Sequence, residues 1–215
     1  MKHITIGPKH HVSNAKTLYN CDYVISIQDA EDEPVKTPFG VNPENHRHFH
    51  FDDLTEEVPI RHSSRDGTVI RQALPTKKDM EDILAFFQSI KAEDARIYLH
   101  CFAGVSRSTA TGFMLHCSMH EPGTEPGCMM LTERSALSSS IWPNELMVSF
   151  ADQILGRNGA MIKAVNDWKE AEKNIAFKLD AWVEKIKNLN NNINKAMGWD
   201  DEQKRLKIDK PPEIR

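Results

Sequence analysis

The sequence predicts an α/β fold in which a central, mainly parallel sheet is flanked by helices and followed by a C-terminal helical extension. Short apolar runs alternate with segments of helical periodicity through the first half of the chain. This alternation is typical of a parallel sheet that is covered on both faces. A long helical pattern then begins near residue 162. We therefore expect one α/β domain over residues 1–161 and a helical extension with a loose tail over 162–215.

The individual elements follow from local pattern. Strands are predicted where short apolar or aromatic runs end at polar residues, at 3–6, 23–27, 46–51 and 95–100. Residues 28–45 are acidic and contain three prolines, which indicates an irregular loop. Helical spacing of apolar residues predicts helices at 78–90, 108–120, 128–139 and 143–156, and residues 11–20 are compatible with another.

Composition excludes several classes of protein. A chain of 215 residues fits one domain plus an appendage, and a net charge of -4 argues against nucleic-acid binding. No apolar stretch approaches the roughly 20 residues of a membrane span, and the first residues lack a secretory signal pattern. Four cysteines in a chain of this length do not make a disulfide scaffold. We expect a cytoplasmic protein in a reducing compartment.

The segment 100–108, HCFAGVSRS, carries the strongest functional signal. It lies between a predicted strand and a predicted helix, so its backbone N–H groups and the helix dipole should converge on one anion site. Ala103 and Gly104 are small enough for the backbone to wrap closely around a phosphate. Arg107 offers a planar fork for two of its oxygens.

The positive electrostatic potential of the helix N-terminus and of Arg107 should also act on the thiol of Cys101. A thiol beside a guanidinium and a helix N-terminus loses its proton easily, which predicts a thiolate nucleophile. His100 precedes it in the strand and points to the opposite face, so we expect it to hydrogen-bond the backbone rather than act as general base. Ser108 can donate a hydrogen bond to the sulfur when the thiolate leaves.

This segment resembles the signature of the protein tyrosine phosphatase superfamily, in which Cys and Arg are separated by five residues and followed by Ser or Thr. The residues between the cysteine and the serine are most similar to those of the dual-specificity branch and of compact bacterial and phage relatives. The resemblance extends over roughly residues 1–160. The resemblance implies a catalytic domain that uses no metal or organic cofactor. It also implies that the substrate phosphate is bound by Arg107 and by the loop residues Phe102, Ala103, Gly104, Val105 and Ser106.

The resemblance also implies an aspartic acid upstream of the nucleophile as general acid. Strand alternation favours Asp53 for this role and leaves Asp52 to cap or orient the loop, with the reverse assignment still open. Asn144, in a Pro-Asn segment similar to that of the family, is expected to brace the phosphate loop, to cap a helix, or both. The Arg that relatives often carry just before this segment is absent, so support of the loop is expected to differ.

The expected substrate is a phosphorylated protein or peptide, with phosphotyrosine as first choice and phosphoserine or phosphothreonine in addition. The loop has no lysine, which disfavours inositol phosphates. Two other hypotheses stay open: a phosphoprotein-binding pseudophosphatase and an RNA 5′-triphosphatase. Low-molecular-weight phosphatases and arsenate reductases place their cysteine near the N-terminus, which argues against both for a chain with its nucleophile at Cys101.

Two groups of histidines and cysteines could suggest a metal site: His46, His48 and His50, and His116, Cys117, His120 and Cys128. A partly exposed strand face explains the first group better, and a buried helix explains the second. Cys21 or Cys117 could form a disulfide with Cys101 after oxidation. An a/d seam over residues 175–193 indicates a helix packed on its own domain or, alternatively, a coiled-coil homodimer.

Overall fold

The computed structural model describes residues 2–57, 61–62, 69–70 and 72–196. Four parallel strands form the central sheet in the order β1–β6–β2–β3, and a short antiparallel hairpin joins β4 to β5. The strands are β1 (His3–Pro8), β2 (Tyr23–Gln28), β3 (His46–His50), β4 (Arg61–His62), β5 (Val69–Ile70) and β6 (Arg96–Cys101). The predicted α/β class with a parallel sheet is confirmed.

The register of the sheet decides where the functional loop lies. Strand β6 occupies a central place and pairs with β1 on one side and β2 on the other. Cys101 lies opposite Pro8, and His100 lies opposite Gly7 and Ser26. The carboxyl ends of these strands therefore meet at one edge, which is where open α/β sheets place their binding sites.

The described α-helices are α1 (Ala15–Tyr19), α2 (Lys77–Ser89), α3 (Arg107–Ser118), α4 (Glu125–Ser135), α5 (Glu145–Ile154) and α6 (Ala160–Ala196), with a 3-10 helix at Lys9–Asn14. Within residues 1–168, helices pack on the sheet and bury its apolar side chains. Thr76 and Asp79 form a capping box at the start of α2. Nearly all of α3 is buried, as its apolar sequence predicts, and the main core includes Phe113, Met114 and Leu115.

The predicted helix 128–139 is wrong at both ends. Helix α4 begins at Glu125 because Pro126, at the start of a helix, needs no hydrogen-bond partner for its nitrogen. It ends at Ser135, since Ala136 takes an extended conformation and bridges to Ile6 beside β1. The β4–β5 hairpin was not predicted at all.

The chain forms two compact units, Met1–Trp168 and Lys169–Arg215, and α6 runs through the boundary. The domain boundary at 161/162 stays a prediction. Of the proposed seam, Ile175 and Ile186 are exposed. The side chains of Leu179, Trp182, Leu189 and Ile193, and the tail after residue 196, lie outside the described residues. Packing of the seam on the domain and formation of a homodimer both stay predictions.

None of the described helices is long and apolar enough to cross a bilayer.

A buried ion pair joins the ends of three helices. The Nη1 of Arg157 lies 3.0 Å from Oε1 of Glu125, and both side chains are almost fully buried. The Nη2 of Arg157 donates to the carbonyl oxygens of Cys117 and His120 at the end of α3. Glu125 accepts from the backbone N–H of Gly123 before α4. The arginine therefore satisfies carbonyl groups that the end of α3 leaves without helical partners.

Replacing Arg157 with Met should lower the free energy of unfolding by about 3–5 kcal/mol, because Glu125 keeps a buried charge without its partner. Urea denaturation followed by circular dichroism measures the change. Lys163→Met, in the exposed pair of Lys163 with Asp167, is the matched control and should change stability little. Equal losses in the two variants would contradict a special role for the buried pair.

Candidate active site

The loop of residues 101–107, called here the phosphate loop, connects the end of β6 to the start of α3. It forms one wall of a cavity of about 400 Å³ at the carboxyl edge of the sheet. Cys101 is 3% exposed, and its Sγ lies 3.2 Å from Oγ of Ser108 in the first turn of α3. The hydrogen bond with Ser108 thus holds the thiol at the wall of this cavity.

Arg107 is fixed by partners on two sides. Its Nη1 donates to the carbonyl oxygen of Phe51 over 2.6 Å, and its Nη2 lies 2.7 Å from Oδ1 of Asp29. Its Nε is buried and has no hydrogen-bond partner among the described residues. Sequence reasoning missed Asp29, because the prolines and acidic residues around it indicated only a loop.

Backbone contacts brace the phosphate loop from two directions. The N–H of Lys9 donates to the carbonyl of Phe102 over 3.0 Å, and the N–H of Trp142 donates to the carbonyl of Val105 over 2.8 Å. Gly104 has a φ of +77°, and a Cβ there would come within 2.7 Å of the carbonyl carbon of Gly7. Only glycine fits both the backbone angle and the close approach.

A chain of hydrogen bonds runs behind the loop from Thr37 to Cys101. A carbonyl oxygen only accepts, so Nδ1 of His100 carries its proton and donates to the carbonyl of Cys101 over 3.1 Å. With a neutral ring, Nε2 of His100 accepts from the hydroxyl of Ser26 over 2.6 Å. Ser26 in turn accepts from Nε2 of His46 over 2.7 Å, and Nδ1 of His46 accepts from Thr37 over 3.0 Å.

Both histidines in this chain are held neutral. Burial lowers the pKa of His100 to about 4 and the pKa of His46 to about 3. His46 is buried rather than part of a partly exposed strand face, because its ring turns inward to Ser26 and Thr37. These hydrogen bonds connect the loop after β2 and the start of β3 to the backbone of Cys101.

The stability of the protein should therefore fall as the pH falls. A histidine whose pKa is lowered from 6.5 to about 4 stabilises the fold fully above pH 6.5 and loses that contribution as the pH falls through this range. The loss amounts to about 3 kcal/mol for His100 alone. Urea denaturation at a series of pH values should show a shallower dependence in His100→Asn than in wild type. His3→Asn, at an exposed position, controls for removal of a histidine, and parallel curves for wild type and His100→Asn would contradict the prediction.

The two neighbouring aspartates both line the cavity but have different partners. The carboxylate of Asp52 accepts from the backbone N–H groups of Ala30 and Ala73, over 3.4 and 2.6 Å, so it holds two loop segments together. Asp53 is exposed, and its Oδ1 accepts from Oγ of Ser106 over 2.7 Å. Among the described residues no hydrogen bond reaches Oδ2 of Asp53.

Asn144 lies behind Asp53 rather than against the phosphate loop. Its Nδ2 donates to Oδ1 of Asp53 over 2.8 Å and to the carbonyl of Leu54 over 3.1 Å. Its Oδ1 accepts from the N–H of Met147 and so caps α5. Asn144 thus connects to the phosphate loop through Asp53, whose Oδ1 also accepts from Ser106, whereas the N–H of Trp142 bonds to the loop directly.

Comparison with known proteins bears on the fold. No protein-family model and no curated protein sequence matches this chain. Among solved structures, DUSP15 matches with a TM-score of 0.52 and 14% identity, covering 79% of this chain and 92% of DUSP15. This chain has the protein tyrosine phosphatase fold. Human DUSP28 (TM-score 0.49, 12% identity, 73% of this chain and 94% of that one) and PTP-2 of Cydia pomonella (0.48, 16%, 70% and 84%) are also similar.

Within this phosphatase fold, the other cysteines lie far from Cys101. Strand register places Cys21 level with residue 95, which puts it about 20 Å from Cys101 along the strands. Cys117 lies near the C-terminal end of α3, about 15 Å along the helix axis from Arg107, where the helix begins beside Cys101. A disulfide needs Cα atoms within about 7 Å, so the hypothesis of an internal disulfide with either residue is wrong.

The histidine and cysteine groups that could suggest a metal also have other partners. Nδ1 of His48 lies 3.3 Å from Oε1 of Gln28, and Nδ1 of His116 lies 3.0 Å from Oγ1 of Thr132. Across the part of the chain that the structure describes, no group of three or more His, Cys, Asp or Glu is arranged to hold a metal ion. These residues are explained by their hydrogen bonds.

Proposed function

We propose that this chain is a cysteine-dependent phosphomonoesterase that acts on phosphorylated proteins or peptides through a cysteinyl-phosphate intermediate. One observation carries the proposal: the Cys101 thiol and the Arg107 side chain line the same cavity, at the end of β6 and the start of α3. A thiol can attack phosphorus there while the guanidinium binds phosphate oxygens.

In the first step the sulfur of Cys101 attacks phosphorus, and the bond between phosphorus and the leaving oxygen breaks. Arg107 and the N–H groups of the phosphate loop hold the other phosphate oxygens while charge shifts between them. Asp53 protonates the leaving oxygen, which needs a carboxyl group at the rim of the cavity. Hydrogen bonds from Ser106 and Asn144 to Oδ1 of Asp53 support this role, because they hold the carboxyl group in place and leave Oδ2 for the transfer.

In the second step water attacks the phosphorus of the cysteinyl phosphate, and the sulfur–phosphorus bond breaks. Asp53, now a carboxylate, takes a proton from the water. The hydroxyl of Ser108, 3.2 Å from the sulfur, donates a hydrogen bond to the departing thiolate. Positioning and charge stabilisation supply most of the rate enhancement in phosphoryl transfers of this kind.

The lining of the cavity supports a singly phosphorylated side chain as substrate. Three carboxylates line it, those of Asp29, Asp52 and Asp53, and Arg107 is its one cationic residue among the described lining. A head group with several phosphates would meet repulsion from the carboxylates. Phosphotyrosine is the proposed preference. A reducing, cytoplasmic compartment suits the proposal, because oxidation of the catalytic cysteine would stop the reaction.

Hydrolysis of p-nitrophenyl phosphate and of a phosphotyrosine peptide tests the proposal and assigns the acid. Wild type should turn over both in the presence of a chelator. Asp53→Asn should lower kcat for the peptide about 100-fold, the contribution usual for a general acid. Asp52→Asn keeps the 2.6 Å contact with the N–H of Ala73 through its amide oxygen and loses the 3.4 Å contact with the N–H of Ala30, so it should have a much smaller effect.

Two outcomes would contradict this proposal. A larger loss in Asp52→Asn than in Asp53→Asn would move the acid to the neighbouring residue. Wild type that binds phosphopeptides under reducing conditions but turns over neither substrate would indicate the alternative function, a phosphoprotein-binding module.

A further inference from the structure

A second cleft adjoins the catalytic cavity. Its volume is about 570 Å³, and it lies between the start of the 3-10 helix after β1 and the segment that follows α4. Phe102 and Ala103 line both the cleft and the catalytic cavity. The two cavities are therefore neighbours that share the wall formed by these two residues.

The surface that the cleft offers to a ligand is apolar. Phe102 is 69% exposed and Leu137 is 44% exposed, and both side chains reach the cleft together with Pro8. Single exposed apolar residues are common on protein surfaces. Several that converge on one concavity beside a catalytic cavity are typical of a ligand subsite.

The polar side chains of the cleft are mostly occupied. Lys9 forms an ion pair with Asp32 over 2.7 Å, and Nδ1 of His11 lies 2.7 Å from the hydroxyl of Tyr19. His10 packs edge-on against His11. No carboxylate is part of the described lining, whereas three line the catalytic cavity. The cleft thus has no strong free charge to attract an acidic or a basic side chain.

We propose that this cleft is a second substrate subsite that takes a large apolar side chain beside the phosphorylated residue of a peptide. The inference rests on the proposed phosphatase function and adds a substrate preference to it. Adjacent residues of an extended peptide are about 3.8 Å apart, so a side chain one or two positions from the phosphorylated residue reaches the shared wall at Phe102. A small phosphate ester occupies the catalytic cavity alone.

The test compares phosphotyrosine peptides that differ at one position, with Leu, Gly, Glu or Lys at each of the two residues on either side. For wild type, kcat/KM should be about tenfold higher for Leu than for Gly at one of these positions, as expected for one apolar side chain in a pocket. Leu137→Glu should abolish this ratio. Met130→Glu, which changes an exposed apolar side chain on α4 outside the cleft, should leave the ratio unchanged.

The same peptides bound to Cys101→Ser separate the subsite from the chemistry. A preference for Leu in binding that Leu137→Glu removes would support the subsite even if wild type turned over no p-nitrophenyl phosphate, an outcome that would overturn only the proposed function. Equal kcat/KM and equal affinity for Leu and Gly peptides would overturn the subsite. A preference for Glu would overturn it as well and would indicate a basic subsite.

Discussion

Replacing Cys101 with Ser should abolish hydrolysis of p-nitrophenyl phosphate, with a loss of kcat of about 10,000-fold or more. The serine hydroxyl fits the same space beside Ser108 but is far less nucleophilic at neutral pH than a thiolate. A stopped assay with the variant at high concentration measures the residual rate. Binding of phosphate or of a phosphopeptide should survive, because Arg107 and the loop N–H groups remain in place.

Cys21→Ala is the matched control for this variant. Burial raises the pKa of the Cys21 thiol to about 11, so that thiol stays protonated and unreactive at neutral pH. Its removal should leave turnover within a few-fold of wild type, and iodoacetate should label Cys101 first. Substantial turnover by Cys101→Ser would contradict a covalent mechanism at this residue.

Arg107→Lys should lower kcat/KM by about 1,000-fold, although the positive charge is kept. The guanidinium donates to Phe51 through Nη1 and pairs with Asp29 through Nη2, and a lysine ammonium cannot keep both contacts in the same planar geometry. Steady-state kinetics with p-nitrophenyl phosphate measures the effect. A loss below tenfold would show that the planar geometry of the guanidinium contributes little.

Asp29→Asn separates charge from orientation at Arg107. An amide oxygen can still accept from Nη2 of Arg107, so the arginine should keep its position, and KM should change little. Asp29→Ala removes the acceptor and should raise KM for p-nitrophenyl phosphate several-fold more than Asp29→Asn does. Rescue by the amide identifies Asp29 as a positioning residue, and equal effects of the two substitutions would contradict that role.

The fold and the centre of the site were predictable because their signals are local. The alternation of apolar strands with helices specifies a parallel sheet, and the strand, small residues, arginine and buried helix of residues 100–118 follow one another in sequence. Register in the sheet then brings Cys101 to the edge where such sheets bind ligands.

The partners that hold the site were not predictable, because they come from distant parts of the chain. Asp29, Phe51 and Arg107 meet only through the sheet, and Ser26, His46 and His100 are joined across three strands. Histidines that alternate along β3 gave no sign that one of them turns inward. Asn144 was assigned to the phosphate loop by resemblance, whereas its amide contacts the segment of Asp53.

The ends of helices also depended on tertiary contacts. Ala136 leaves α4 to bridge to Ile6, a partner from the first strand of the sheet, and no local pattern marks that contact. Arg157 and Glu125 form a buried pair although charged residues usually indicate a solvated surface. The sequence between Asp53 and the start of α2 likewise gave no signal for the β4–β5 hairpin.

The most direct test is to trap the covalent intermediate in Ser108→Ala, which should slow departure of the thiolate more than its attack. The variant is mixed with p-nitrophenyl phosphate, quenched in acid within the first turnovers and digested, and the peptide that contains Cys101 is measured by mass spectrometry. We expect a phosphoryl group on the sulfur of Cys101, present in Ser108→Ala and absent from Cys101→Ser. Turnover by Ser108→Ala with no phosphorylated Cys101 peptide at any quench time would contradict the proposed mechanism.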